Sequence, residues 1–184
     1  MSPNATLGEP MSVEFDKVSG NAYPSSDSLY GGGTSGDSNS YGATFDLSFS
    51  PLANVSSIVL QVQIGAAFGY DFVDGALPVL SVNGTPVSLL GDEVTHQAQN
   101  GFYLGLPVYV DTYGLQWDLS RFSDPVIDLE ISFDVVQHSQ LYGLRLDQSD
   151  SVIPSSILPI PEPSGLFLCA FAFSGFVTSR RRTC

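Results

Sequence analysis

The chain has 184 residues, room for one domain of ordinary size and a tail, and 43% of them are hydrophobic, enough for a core. Its charge is lopsided: nineteen acidic residues outnumber six basic ones, three of which stand together at 180–182, so residues 1–179 carry a net charge of −16. So acidic a body repels phosphate backbones, whose binding needs clustered Lys and Arg to displace counterions, and nucleic acid is excluded as a partner.

In chain order, the opening MSPNATLGEPMSVEFDKVSG lacks the basic start and apolar stretch of an export signal. SVEFDKV, residues 12–18, is the first predicted strand. From Gly20 to Gly42 small and polar residues dominate, which reads as a long or poorly ordered loop. Its Tyr23, Tyr30 and Tyr41 either pin the loop or offer rings for stacking on a sugar. ATFDLSFS (43–50) alternates, with Phe45, Leu47 and Phe49 on one face and Asp46 and Ser48 on the other. SSIVLQVQIG (56–65) does the same through Ile58, Leu60, Val62 and Ile64, with Gln61 and Gln63 opposite. In LPVLSVNGTPVSLL (77–90), Asn83-Gly84 between β-prone flanks predicts a two-residue hairpin turn. GFYLGLPVYV (101–110) reads as a strand. In YGLQWDLS, Trp117 is either a sugar platform or a core anchor alternating with Leu115 and Leu119. VIDLEISFDVV is the clearest strand, with Ile127, Leu129, Ile131, Phe133 and Val135 on one face. QLYGLRLD (140–147) is the last. No segment of the body sustains a helical i, i+3, i+4 pattern. The expected fold is an all-β, antiparallel, jelly-roll-like β-sandwich over residues 1–149, with a linker at 150–160.

Candidate chemistry is sparse. Gly36-Asp37-Ser38 resembles the start of the GDSL hydrolase block, but Asn39 stands where leucine belongs and no Asp-x-x-His supplies a base. His96 and His138 have no ligand-spaced partner, and both cysteines, Cys169 and Cys184, lie near the C-terminus, so no thiolate or imidazole metal site is expected in the body. Asp71 with Asp74, or Asp92 with Glu93, could in principle pair for glycoside hydrolysis. They read better as acidic loop residues, so no catalytic residue is assigned. No resident cofactor is expected. Calcium, a hard cation that takes oxygen ligands from loops, is the ion for which Asp71 and Asp74 are candidates, with Asp147 and Asp150 a second pair.

The C-terminus carries more. In the segment that opens with Pro161-Glu162-Pro163, seventeen uncharged residues, Pro163–Ser179, separate Glu162 from Arg180, Arg181 and Arg182. As a helix such a run reaches about 26 Å, close to the hydrocarbon thickness of about 30 Å, and its apolar residues surround the axis. Three arginines directly after it favour the cytoplasmic side and leave the acidic body outside. The expectation is one transmembrane helix at 164–179 within a tail at 161–184.

Pro-Glu-Pro, an apolar span and an arginine cluster, in that order, resemble the PEP-CTERM sorting signal of Gram-negative bacteria. The resemblance covers about residues 159–184; its span is phenylalanine-rich where leucine and glycine are usual, and Thr183-Cys184 follow the arginines. It implies that an exosortase reads Pro161, Glu162 and Pro163 and processes the tail, so that the protein is exported, membrane-anchored before processing, and then fixed at the cell envelope or released. Export expects a natural start upstream of Met1. The resemblance implies nothing about the body, for which the expected role is a non-enzymatic surface or extracellular-matrix protein associated with exopolysaccharide; the rival is a carbohydrate-binding module, calcium-assisted or not, using Trp117, Tyr30 or Tyr41.

Overall fold

The computed structural model describes residues 12–152, apart from 36, 38, 66–68 and 104. The predicted sorting tail at 161–184, its span at 164–179 and the linker from 153 lie outside them. Among the described residues no helix is long and apolar enough to cross a membrane.

The described chain is all-β and antiparallel, in two sheets, with a single 3-10 turn at Val73–Gly75. The first sheet orders its strands β1 (Val13–Gly20), β4 (Tyr41–Phe49), β10 (Leu129–Val136), β6 (Val79–Val82) and β7 (Thr85–Val87). The second runs β2 (Tyr23–Ser25), β3 (Ser28–Tyr30), β11 (Gln140–Ser149), β5 (Ser57–Gly65), β9 (Leu106–Asp118) and β8 (Leu89–Tyr103).

Alternation builds the core. A strand sends successive side chains to opposite faces, so Phe45, Leu47 and Phe49 of β4 share a face with Leu129, Ile131 and Phe133 opposite them on β10. That face meets Ile58, Leu60, Val62 and Ile64 of β5 and Leu115 and Trp117 of β9 in one buried cluster. The result is sandwich-like, two sheets enclosing a single core. Burying each such side chain is worth about 1.5–3 kcal/mol. Phe72, from the segment between β5 and β6, plugs one end of this core and meets Phe133 and Tyr113 edge-on, at centroid distances of 6.1 and 5.2 Å.

Several predicted elements form where expected. The hairpin turn at Asn83-Gly84 joins β6 to β7, both residues at positive φ. Asn83 does more than turn: its Oδ1 accepts the amides of Ile127 and Asp128 at 2.9 and 3.0 Å, and its Nδ2 donates to the Pro125 carbonyl at 2.9 Å. These bonds hold residues 125–128 outside the ladder, so β10 begins only at Leu129. Ile127, expected on the buried face, is 76% exposed.

Two elements differ more. Residues 101–110 are not one strand but the turn of a hairpin, with Gly105 at φ 81° between β8 and β9. The loop predicted at 20–42 contains a short hairpin, β2–β3, and its remainder is tied to the β10–β11 turn. Gln137 Oε1 accepts the Ser35 amide at 2.8 Å, Gln137 Nε2 donates to the Tyr41 carbonyl at 3.1 Å, and His138 Nε2 lies 3.0 Å from the Ser35 carbonyl.

Candidate functional site

The residues singled out from sequence do not converge. Trp117 is fully buried in the core, as its alternation with Leu115 and Leu119 implied, so its indole offers no face to a sugar. Tyr30 is half-buried; its hydroxyl bonds His138 Nδ1 and its ring meets Tyr23 edge-on at 5.4 Å. Tyr41 is exposed, but its hydroxyl is engaged by Ser19 and, at 2.9 Å, by Thr44 Oγ1. With Trp117 sealed inside, the three cannot form one platform.

Asp71 and Asp74 likewise turn to different partners. Asp71 is buried, and its Oδ2 accepts the Tyr113 hydroxyl at 2.7 Å. Asp74 is exposed at φ 55°, its Oδ1 accepting Asn39 Nδ2 at 2.6 Å while its amide donates to Asn39 Oδ1 at 2.7 Å. Asp92 lies opposite Leu115 and Glu93 opposite Gly114, so those two carboxylates point to opposite faces of β8. Asp147 is paired with Arg145 at 2.8 Å. Among the described residues no group of three or more His, Cys, Asp or Glu side chains is placed to hold a metal ion. Of the GDSL-like stretch, Gly36 and Ser38 lie outside the described residues; Asp37 Oδ1 accepts the Asn39 amide at 3.1 Å.

What the structure brings together instead is a projecting arm. β5 pairs with β9 from Ser57 opposite Asp118 to Ile64 opposite Asp111, but β9 continues to Leu106 and β8 follows it, so the hairpin outruns the core. Along β9 the face that carries Trp117, Leu115 and Tyr113 inside the core carries Asp111, Tyr109 and Pro107 beyond it. Opposite them on β8 stand Gln97, Gln99 and Phe102. Tyr109 is 41% and Phe102 72% exposed. At the root of the arm Tyr70, also exposed, precedes Asp71. Gln97 Nε2 donates to Asp111 Oδ1 at 2.8 Å, which fixes both side chains on the surface. Asn100, in a bulge of β8, donates to the Tyr142 hydroxyl at 2.6 Å and ties the arm back to β11. No Lys or Arg occurs between Leu89 and Asp118.

Sequence reasoning missed this set. The signal was present in the positions where the inward parity of β9 turns from Leu115 and Trp117 to Asp111 and Tyr109. A strand that keeps its period but loses its apolar face has left its core.

Tyr113 sits at the root, where the arm enters the core. Burial pushes its phenol well above the ordinary value of 10.0, with the hydrogen bond to Asp71 next and the charges of Asp71 and Asp111 adding to it. Unfolded tyrosine loses its proton near pH 10, whereas folded Tyr113 keeps it, so above that pH the native state binds more protons and stability falls as pH rises. Tyr142 is shifted the same way, by burial first. The midpoint of thermal unfolding should therefore drop between pH 9 and pH 11, and Tyr113→Phe should make that drop shallower. Equal slopes for the two proteins would show that Tyr113 is not held neutral by its surroundings.

Comparison with family models, with curated proteins and with solved structures finds no match to this chain.

Proposed function

We propose that this protein is an exported, non-enzymatic β-sandwich, jelly-roll-like, that an exosortase sorts to the cell envelope or releases by acting on its C-terminal tail. Its role is that of a surface or extracellular-matrix protein associated with exopolysaccharide. The observation that carries this reading is the order of Pro161-Glu162-Pro163, sixteen further uncharged residues, and Arg180-Arg181-Arg182. Proline at 161 and 163 disfavours a helix, which suits a peptide to be read by an enzyme at the membrane surface. The apolar run then partitions into lipid, and the arginines stop it from passing through. Successive strands passing between the two sheets, β4 to β5 to β6 and β9 to β10 to β11, support the jelly-roll reading.

The exit of the chain suits this arrangement. The Ser149 carbonyl accepts the Ser56 amide at 2.7 Å and the Ser151 carbonyl accepts the Ser57 hydroxyl at 2.8 Å, so the chain leaves β11 at the end of the sandwich where β9 finishes. Strand β9 runs the other way from that end, from Asp118 back to Leu106 over about 40 Å at about 3.3 Å per residue, and the arm lies at its far end. A domain tethered by its tail holds the arm away from the lipid.

Replacing Glu162 with alanine in a cell that carries the exosortase should leave a full-mass protein in the membrane fraction, read by immunoblot and intact mass. Processing at the wild-type rate would refute recognition of the Pro-Glu-Pro. A second reading, carbohydrate binding, is favoured by the exposed Tyr109, Gln97, Gln99 and Phe102 on one face of the arm.

A further inference from the structure

We propose that the face of the β8–β9 arm bearing Phe102, Tyr109, Gln97, Gln99 and Asp111 is a binding site for an extended neutral polysaccharide; this rests on the carbohydrate reading above and gives it a place and a ligand class. The argument begins with what the face presents. Directly opposed residues of an antiparallel pair lie on the same side, so Phe102 with Pro107, Gln99 with Tyr109 and Gln97 with Asp111 form three successive rows. From Pro107 to Tyr113 the face is about 20 Å long at about 3.3 Å per residue. An aromatic row at the tip and a Tyr–Gln row are followed by an amide–carboxylate row, with Tyr70 near the root.

That alternation matches sugar chemistry. A pyranose ring has a flat C–H face, which an exposed aromatic ring can cover, and a rim of hydroxyls that both donate and accept. Tyrosine supplies an apolar body and a polar tip together. The glutamine amides donate and accept, while a carboxylate only accepts. Gln97 and Asp111 are already bonded to each other, which leaves Gln97 Oε1 and Asp111 Oδ2 as acceptors for hydroxyl donors. Both residues are held by a sheet rather than a loop, and Asn100 clamps the arm to Tyr142, so little ordering is needed on binding.

Charge selects within the carbohydrates. The face has Asp111, and no Lys or Arg stands anywhere on the arm. The body's three basic residues act elsewhere: Lys17 donates to the Ala22 carbonyl, Arg145 pairs with Asp147, and Arg121 stands near Asp118 at the base. A uronic-acid polymer or a sulfated glycan would meet like charge, whereas a neutral chain does not.

The test is affinity electrophoresis of the full chain through gels containing hydroxyethyl cellulose, dextran or alginate, beside Tyr109→Ala, Tyr109→Phe, Tyr30→Ala and Tyr41→Ala, with sedimentation velocity on the same proteins. Tyr109 is exposed, and the thermal midpoints of its variants should equal that of the wild type. Retardation by at least one of the two neutral polymers and not by alginate, reduced tenfold or more in Tyr109→Ala and kept within about twofold in Tyr109→Phe and in the Tyr30 and Tyr41 variants, is the result expected. Retardation that survives Tyr109→Ala but is lost with Tyr30 or Tyr41 would overturn the arm as the site while leaving the carbohydrate reading intact. Retardation by alginate alone would overturn the neutral ligand. No retardation by any polymer would remove both the site and the carbohydrate reading. Self-association that Tyr109→Ala abolishes, with no effect of polymer, would make the face an interface between copies and overturn the proposal.

Discussion

Replacing Trp117 with alanine should destabilise the protein by about 3–5 kcal/mol, a large fraction of the about 5–15 kcal/mol that holds a domain of this size together. The side chain is fully buried and lies between Ile58 of β5 and Leu89 of β8, within the cluster that both sheets share. Truncation removes its transfer free energy and leaves a cavity that two hydrogen-bonded sheets cannot collapse to fill. Phenylalanine should cost less. It keeps most of the apolar volume and also removes Trp117 Nε1, a buried donor with no partner among the described residues. Leaving such a group unpaired costs about 1–3 kcal/mol, which phenylalanine recovers. Urea denaturation reads both: the midpoint should fall far for Trp117→Ala and modestly for Trp117→Phe, with the slope unchanged. A loss below about 1 kcal/mol in Trp117→Ala would mean that the indole is not the wedge between the sheets. It would also return Trp117 to the surface as a binding residue.

The same residue shows why part of the fold was legible. Wherever a strand has one face in the core and one in water, the period-two pattern is written in the side chains, and 43–49, 58–64 and 129–135 read correctly for that reason. The pattern fails where a strand has no core to face. Residues 91–100, GDEVTHQAQN, form the greater part of β8, yet they show no apolar alternation, because β8 is the edge strand of its sheet and past Gln97 lies beyond the end of the β5–β9 ladder. The turn at Gly105 was hidden by the opposite fault: both of its flanks are apolar, so 101–110 looked continuous. The hairpin at 23–30 has strands of three residues, too short for a period to register.

Candidate sites were harder to read than strands, for a reason of geometry. Asp71 and Asp74 are close in sequence, but Asp71 precedes and Asp74 lies within the 3-10 turn Val73–Gly75, Asp74 at φ 55°, so that one carboxylate points inward to Tyr113 and the other outward to Asn39. Aromatic residues in a loop-like composition drew notice to Tyr30 and Tyr41, whereas Tyr109 and Phe102 sat inside what read as an ordinary strand. Cross-strand register decides which residues meet, and register is not visible until the partner strand is known.

Gly42→Ala should destabilise by about 1–3 kcal/mol, toward the upper end, although alanine is the smallest side chain available. A Cβ at that position would lie 2.5 Å from the Gly31 carbonyl oxygen and 2.7 Å from that of Val136, distances that atoms do not adopt. Both neighbours are backbone, so no rotamer change relieves the clash. Three segments cross here: the end of the β2–β3 hairpin, the start of β4 and the bulged end of β10. They are sewn by the Asn21 amide to the Gly42 carbonyl and by the Gly31 amide to the Ser139 carbonyl, each at 2.8 Å. Pushing them apart should loosen the whole 20–42 stretch, so amide exchange at Asn21 and Gly31 should quicken more than exchange in β5. Gly143→Ala is the control, because its Cβ would meet nothing nearer than the Gln63 amide oxygen at 3.8 Å. Restricting the unfolded chain there should be neutral or stabilise by up to about 1 kcal/mol. If Gly42→Ala proved as stable as Gly143→Ala, the close crossing would be disproved, and with it the account of why a glycine-rich segment is held in place at all.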